Sequence, residues 1–338
     1  MNRDNLSFRW NEIKNKYSIF MVLAVMFVIC SFLSPVFATG GNIANISRQI
    51  SITTIIAFGE TILIIAGLLD LSAGSVLALS GLLSVAAFKA TDSLLLSMVV
   101  GIMIGVGCNL INGIVVTKFN TPPFIATLAM MTAARGAALM FTNGQNIYQI
   151  GKFIVWGQSN ISIIPTPVVF MIGITVLTWY LLRQTRFGRY LYAVGGNQEA
   201  ARASGININS VKMKAYLING VFVGLAGVIF MSRVNAGLPN SGAGFEFDAM
   251  TAAIIGGTSF SGGIGTAMGT LAGGFIMGLL NNIMNLTLIQ SYLQQIIRGA
   301  IIALAVMYDI HAKTKRESRT IGNIEERISR ETQSIGNQ

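Results

Sequence analysis

Runs of roughly twenty apolar residues recur along this chain, and they leave few folds open. A bilayer-spanning helix needs about 20 mostly apolar residues, and the sequence supplies apolar segments at 17–37, 48–69, 72–90, 94–117, 121–142, 166–183, 213–234, 248–260, 263–286 and 290–309. Only 11% of residues are charged, against roughly 25% in soluble domains, so most of the chain has no water to face. Runs of this length select helices. The expectation is an all-α, polytopic membrane protein with about ten transmembrane segments, of which 248–260 is too short to cross fully.

Ten segments place both ends on one side, and the basic residues say which. The N-terminal Arg3, Arg9, Lys14 and Lys16, then Lys118, the 183–214 stretch and the tail all fall on the side of the termini. Arg48, Lys89, Lys152 and Arg233 fall opposite, and Arg135 and Arg298 lie within spans. This asymmetry matches the positive-inside rule, with both termini cytoplasmic. The net charge of +10 is therefore topological, and nucleic-acid binding is set aside. The first run exceeds the 7–15 residues of a signal-peptide core and reads as a retained span, although Val36-Phe37-Ala38 resembles a cleavage site. The organisation is thus an N-terminal segment 1–16, one membrane domain over 17–310 carrying a polar cytoplasmic loop at 184–212, and a charged tail at 311–338.

Glycine is abundant, at 37 residues, and falls in GxxxG pairs: Gly101/Gly105, Gly220/Gly224, Gly269/Gly273 and Gly274/Gly278. Small residues at this spacing let membrane helices approach closely. Segments 46–142 and 213–309 have equal length, and each holds a Gly/Ser-rich interruption, near 67–75 and near 256–265. Four spans in each would make the halves inverted in topology. Paired broken helices in inverted halves point to a transporter with a midplane pathway.

Ionisable groups inside spans are costly and mark function by default. Glu60, Asp70, Arg135 and Arg298 are such groups. Asp70, followed by Leu-Ser-Ala, suits an N-cap of the helix that restarts there. Glu60 has no cap position and must pair, protonate or line water, with Arg135 a conceivable partner. Ser72 lies in the same break. Asn109 and Asn112, then Asn281, Asn282 and Asn285, and Gln294 with its neighbours, concentrate neutral amides in three spans. Amides both donate and accept. They suit a hydroxyl-rich, uncharged solute, or equally hydrogen bonds between helices. Cys30 and Cys108 read as small buried hydrophobes, and a single histidine, His311, leaves no metal or acid–base cluster. Neither a GxxxxGK[ST] phosphate loop nor an HExxH or GxSxG motif is present, so ATP hydrolysis by this chain and membrane-embedded catalysis are not expected.

The polar interruption RFGRYLYAVGGNQEAARASGINI spans 186–208. Gly195 and Gly196 break the chain, Asn197 caps a helix of about two turns, Glu199 meets its dipole and Gly205 ends it. So short a helix is stable only against something else. Ala200, Ala201 and Ala203 offer it a flat surface, and the lack of large apolar side chains argues against lying on lipid. It reads as a docking knob.

At this point the sequence resembles the permease subunits of ribose/monosaccharide ATP-binding-cassette importers, within the branched-chain amino acid/ribose permease superfamily. The resemblance rests on GLLDLSAGS at 67–75, PFIATL at 123–128 with Arg135-Gly136, TRFGRY at 185–190, AVGGN at 193–197, AARASG at 200–205, EFDA at 246–249, IGGTS at 255–259, Gly262-Gly263 and Gly269-Thr270. It implies a pore made with a second permease chain, as homodimer or heterodimer, in the bacterial inner membrane. A cytoplasmic ATPase using ATP and magnesium would drive it, and an extracytoplasmic sugar-binding protein would deliver solute. No cofactor would be held by this chain. It also implies that Phe187, Gly188, Arg189, Gly195, Gly196, Asn197, Glu199, Ala200, Ala201, Arg202, Ser204 and Gly205 form the coupling segment that sits in the ATPase. Glu60 departs from the apolar or neutral residue the family leads one to expect, Leu68 replaces a usual glycine, and Ala73 a usual valine. Glu60 keeps open a self-contained, ion-coupled transporter or channel. A sister permease for branched-chain amino acids shares the fold, but the 193–208 and 246–249 signatures point to sugars.

Overall fold

The computed structural model describes residues 19–311; the N-terminal segment 1–16 and the tail beyond His311 lie outside them. Within this range the chain is a set of helices joined by turns and loops, with one two-stranded hairpin, β1 (Asn160–Ile161) with β2 (Ile164–Pro165), and an isolated bridge between Ile147 and Gly237. The helices are α1 (Ile19–Leu33), α2 (Gly40–Ile65), α3 (Ala73–Thr91), α4 (Leu94–Lys118), α5 (Pro123–Thr142), the short α6 (Val155–Gln158), α7 (Thr166–Gln184), α8 (Arg186–Gly196), α9 (Gln198–Ala203), α10 (Ile208–Val234), α11 (Phe245–Ile255), α12 (Ala267–Leu286) and α13 (Ser291–His311). Eight of these are long and apolar enough to cross a membrane: α2 to α5, α7, α10, α12 and α13. Helix α1 is a shorter apolar helix. Helix α11 rises about 16 Å at 1.5 Å per residue, half the hydrocarbon thickness, so the shortest apolar run does form a half-span.

Helices α2 and α10 are the buried axis of the bundle. Helix α10 packs along α4 and α3 of the first half, and α2 packs along α12 and α11 of the second. Each half thus lends its first helix to the other, which is the exchange an internal repeat predicts. Glycine makes the crossings possible. A Cβ on Gly105 would overlap the Gly220 carbonyl, and one on Gly224 the Gly101 carbonyl. At the equivalent crossing Gly274 abuts Thr54 and Gly278 abuts Ile50 of α2. The GxxxG pairs are therefore internal packing seams. The outward faces of α1, α4, α7 and α13 expose residues such as Phe32, Met103, Val176 and Met307, the composition that suits lipid contact.

Both interruptions are real breaks. Helix α2 ends at Ile65 and α3 begins at Ala73; α11 ends at Ile255 and α12 begins at Ala267. At the second, Gly257 takes φ +85°, and the Gly257 and Thr258 amides donate back to Ile254 (2.8 Å) and Ala253 (3.0 Å), a Schellman stop. Helices α2 and α10 begin at Gly40 and Ile208, earlier than hydropathy places the repeats, because Thr39 and Asn207 cap polar first turns. At one end the structure gathers Arg48, which donates to Gln158 and Asn160, Arg233, which donates to Asn45, Lys89, which donates to the Tyr148 carbonyl, and Lys152 beside Asp92. These are the four basic residues that the charge asymmetry sets apart.

Candidate functional site: two polar breaks and a docking segment

The first break is organised around Asp70. Its Oδ1 accepts from the Ser72 amide at 2.8 Å and from the Ser72 hydroxyl. Its Oδ2 accepts from Asn219 Nδ2 of α10 at 2.7 Å. Asn219 Nδ2 also donates to Asn109 Oδ1 at 3.0 Å, and Asn112 Nδ2 donates to Ser72 Oγ at 3.2 Å. So Asp70, Ser72, Asn109 and Asn112 form one fully buried network. Asp70 is not the N-cap of α3. Ser72 occupies that position, and Asp70 closes an Asx-type turn two residues ahead. The Tyr216 hydroxyl ties α10 to the same break through the Leu69 carbonyl at 3.3 Å.

Glu60 lies at this break, its Oε2 accepting from the Asp70 amide at 3.4 Å. Its Oε1 has no hydrogen-bond partner among the described residues. Arg135 is not its partner: that guanidinium donates to the Pro239 and Ser241 carbonyls, both at 2.6 Å. The reason is geometric, since α5 packs on α3 and α4 rather than on α2. Glu246, on the first turn of α11, accepts from the Gly244 amide at 3.1 Å. Its Oε2 is unpartnered and lies where a Cβ of Gly74 would be. Asn219 Oδ1 is likewise unpartnered, against Gly59. Three buried oxygens that can accept, with no donor to them among the described residues, mark this as the polar centre of the bundle.

The second half is arranged differently. Asp248 of α11 pairs with Arg298 of α13 at 3.6 Å, and Asn281 bridges them, donating to Asp248 Oδ2 (3.3 Å) and accepting from Arg298 Nε (3.0 Å). Asn282 exchanges amide hydrogen bonds with Asn42 of α2 at 3.1 and 3.2 Å. Gln294 braces the α12–α13 turn by donating to Asn285 Oδ1 (3.0 Å) and the Ile289 carbonyl (2.9 Å). Of the nine pathway candidates, five therefore meet at the first break and four sit in three separate helix-to-helix ties. Asn219, Tyr216, Glu246 and Asp248 join these groups and are not among the site residues that the sequence leads one to expect. Asn219 carried the same signal as Asn109, an amide within a span.

The polar interruption is helical over more of its length than its glycines suggest. Helix α8 continues through Gly195 to Gly196, so the two do not break the chain. Thr185 caps α8 by accepting from the Gly188 amide at 3.1 Å. Leu191 and Val194 turn inward, with Phe187 half-buried and Arg189 exposed. Asn197 then caps α9, its Oδ1 accepting from the Ala200 amide at 2.9 Å. Gly205, at φ +77°, ends it with a Schellman pair: Gly205 N–H to the Arg202 carbonyl (2.9 Å) and Ile206 N–H to the Ala201 carbonyl (3.1 Å). Ala201 is buried, while Gly196, Asn197, Glu199, Ala200, Arg202, Ser204 and Gly205 are exposed. Tyr192 of α8 donates its hydroxyl to the Gly265 carbonyl at 2.7 Å. Burial raises its pKa above the ordinary tyrosine value, Arg183 opposing, so the hydroxyl keeps its proton.

A helical bundle with two broken spans, interlocked halves and a polar centre is the architecture of a membrane permease. The chain belongs to the family described as branched-chain amino acid transport system / permease component, which matches residues 42–306. It is 39% identical over 294 residues to the ribose import permease protein RbsC of Escherichia coli K12, covering 86% of this chain and 92% of that one. It is 40% identical to RbsC of Bacillus subtilis 168 over 303 residues, 89% and 94% of the two chains, and 37% identical to the D-allose transport system permease protein AlsC of E. coli K12 over 298 residues, 87% and 91%. No solved structure matches.

Proposed function

We propose that this chain is the translocating subunit of an ATP-driven importer of a monosaccharide, a ribose-like pentose or a hexose, in the bacterial inner membrane. The observation that carries this reading is the identity to ribose and allose permeases across about nine-tenths of both chains. The polar centre supports it: Glu60, Glu246 and Asn219 each hold an unpartnered acceptor, the complement of sugar hydroxyls. Two copies, or this chain and a related one, form the pore, with the termini cytoplasmic. A separate cytoplasmic ATPase, using ATP and magnesium, docks on the exposed face of α9 and the end of α8, and an extracytoplasmic binding protein delivers the sugar. The chain itself supplies no catalysis. Alternating access needs each partner to contact two states differently, and the two breaks are the places where backbone can shift.

The test is reconstitution. In proteoliposomes carrying the chain, its ATPase and its binding protein, a labelled monosaccharide should accumulate only with ATP. Flux down a gradient through the chain alone would instead support an ion-coupled transporter or channel. The docking assignment has its own test. Gly196 has no atom near its Cβ position and Glu199 is exposed, so Gly196→Trp and Glu199→Lys should leave the permease folded yet abolish ATPase co-purification. Unchanged co-purification would remove α9 from the interface.

A further inference from the structure

The α11–α12 break is held from three sides. From α8, the Tyr192 hydroxyl donates to the Gly265 carbonyl at 2.7 Å. From the end of α2, the Ile65 carbonyl accepts from the Gly263 amide at 2.9 Å. From α13, Asp309 Oδ2 accepts from the Phe260 amide at 2.8 Å and from Ser259 Oγ at 3.1 Å. The glycines show how tight this junction is. A Cβ on Gly195 would overlap both the Ile65 carbonyl and the Gly263 amide, and one on Gly263 would press on Gly196. Gly262 and Gly263 both take positive φ, +85° and +75°. Backbone thus meets backbone where α8, the first break and the second break come together.

We propose that residues 259–265 are the element through which displacement of α8 reaches both helix breaks at once, with Tyr192 and Gly195 as its positioning residues and Asp309 as the anchor on the opposite side. The proposal rests on the docking role given to α8 and α9. The physical reason is stiffness. Helix α8 is seated by Leu191 and Val194, both buried, so a push on its exposed end moves it as a body. At Gly195 no side chain is interposed to absorb that movement. The Ile65 carbonyl, which accepts from Gly263 and abuts Gly195, carries it into the break that holds Asp70. The Tyr192 hydroxyl carries it into the break that precedes α12. A merely structural junction would need only that these segments pack. A transmitting one needs the links to be specific, and a single hydroxyl can be removed without removing the ring that packs.

Tyr192→Phe and Asp309→Ala, each in the full complex with ATPase and binding protein in proteoliposomes, test this. The proposal expects ATPase co-purification and the thermal midpoint of the complex to match the parent, and ATP hydrolysis to stay within twofold. Sugar moved per ATP should fall at least fivefold in Tyr192→Phe and measurably in Asp309→Ala. Sugar per ATP unchanged in both variants overturns the proposal. So does a fall that only tracks a lowered midpoint, because the junction would then be structural alone. Loss of co-purification in Tyr192→Phe also overturns it, placing Tyr192 in docking. The docking reading fails separately, if Gly196→Trp and Glu199→Lys keep the ATPase bound.

Discussion

Asn219 ties three elements of the polar centre together: one amide nitrogen serves Asp70 and Asn109, joining helices α10 and α4 to the first break. Replacing it with Ala leaves a buried carboxylate oxygen short of a donor, at a cost of about 1–3 kcal/mol, more where the group is charged. A lowered melting midpoint in detergent is the check, and an unchanged one would mean Asp70 is satisfied without it. Arg298 gives the contrasting case. Its side chain is 28% exposed while that of Asp248 is 5% exposed, so Arg298→Ala strands a buried charge. Breaking such a pair costs about 3–5 kcal/mol, and removing both members, as Asp248→Asn with Arg298→Gln, should recover much of it. The motif around Asp70 was legible because it is local: Asp, Ser and Gly within six residues. Asn219 was not, since it acts on a residue 149 positions away, a distance no local pattern encodes. The Glu60–Arg135 pairing failed for the same reason. Opposite charges in separate spans suggest a pair, but helix packing places each side chain.

At the scale of elements, helix existence followed directly from apolar run length, and the half-length of α11 from the shortness of its run. Boundaries did not, because Thr39 and Asn207 add polar turns that hydropathy omits. Helix α8 is the clearest divergence. Glycine inside a helix costs about 1 kcal/mol, so Gly195 and Gly196 read as a break. Tertiary contact overrides this, because only glycine lets α8 reach the Ile65 carbonyl. The same logic at the α4–α10 crossing makes a prediction. Gly105→Leu or Gly220→Leu forces two backbones apart and should cost at least the 1–3 kcal/mol of an overpacked core. The measure is the yield of monodisperse protein. Gly107→Leu, with nothing near its Cβ position, is the control that should be tolerated.

For the molecule as a whole, the charge asymmetry and the fold agree on which residues share an end, and the assignment of that end to the outside can be tested. In a variant with Cys30 and Cys108 replaced by serine, Lys152→Cys should label with an impermeant thiol reagent applied to right-side-out vesicles. Glu199→Cys should label only in inverted ones. Labelling of both from one face would refute the topology. What the sequence alone determined is the class, which apolar runs form helices, which basic residues share an end and the existence of two breaks. Each follows from the hydrophobic length and charge placement that a bilayer imposes locally on a chain. What only the tertiary structure decided is which polar groups meet. It drew Asp70, Asn109, Asn112 and Asn219 into one network, sent Arg135 to carbonyls instead of Glu60, and brought both breaks against α8. In a bundle whose surfaces are nearly all apolar, those meetings depend on which glycines let which helices close together, and that is a property of the packed whole.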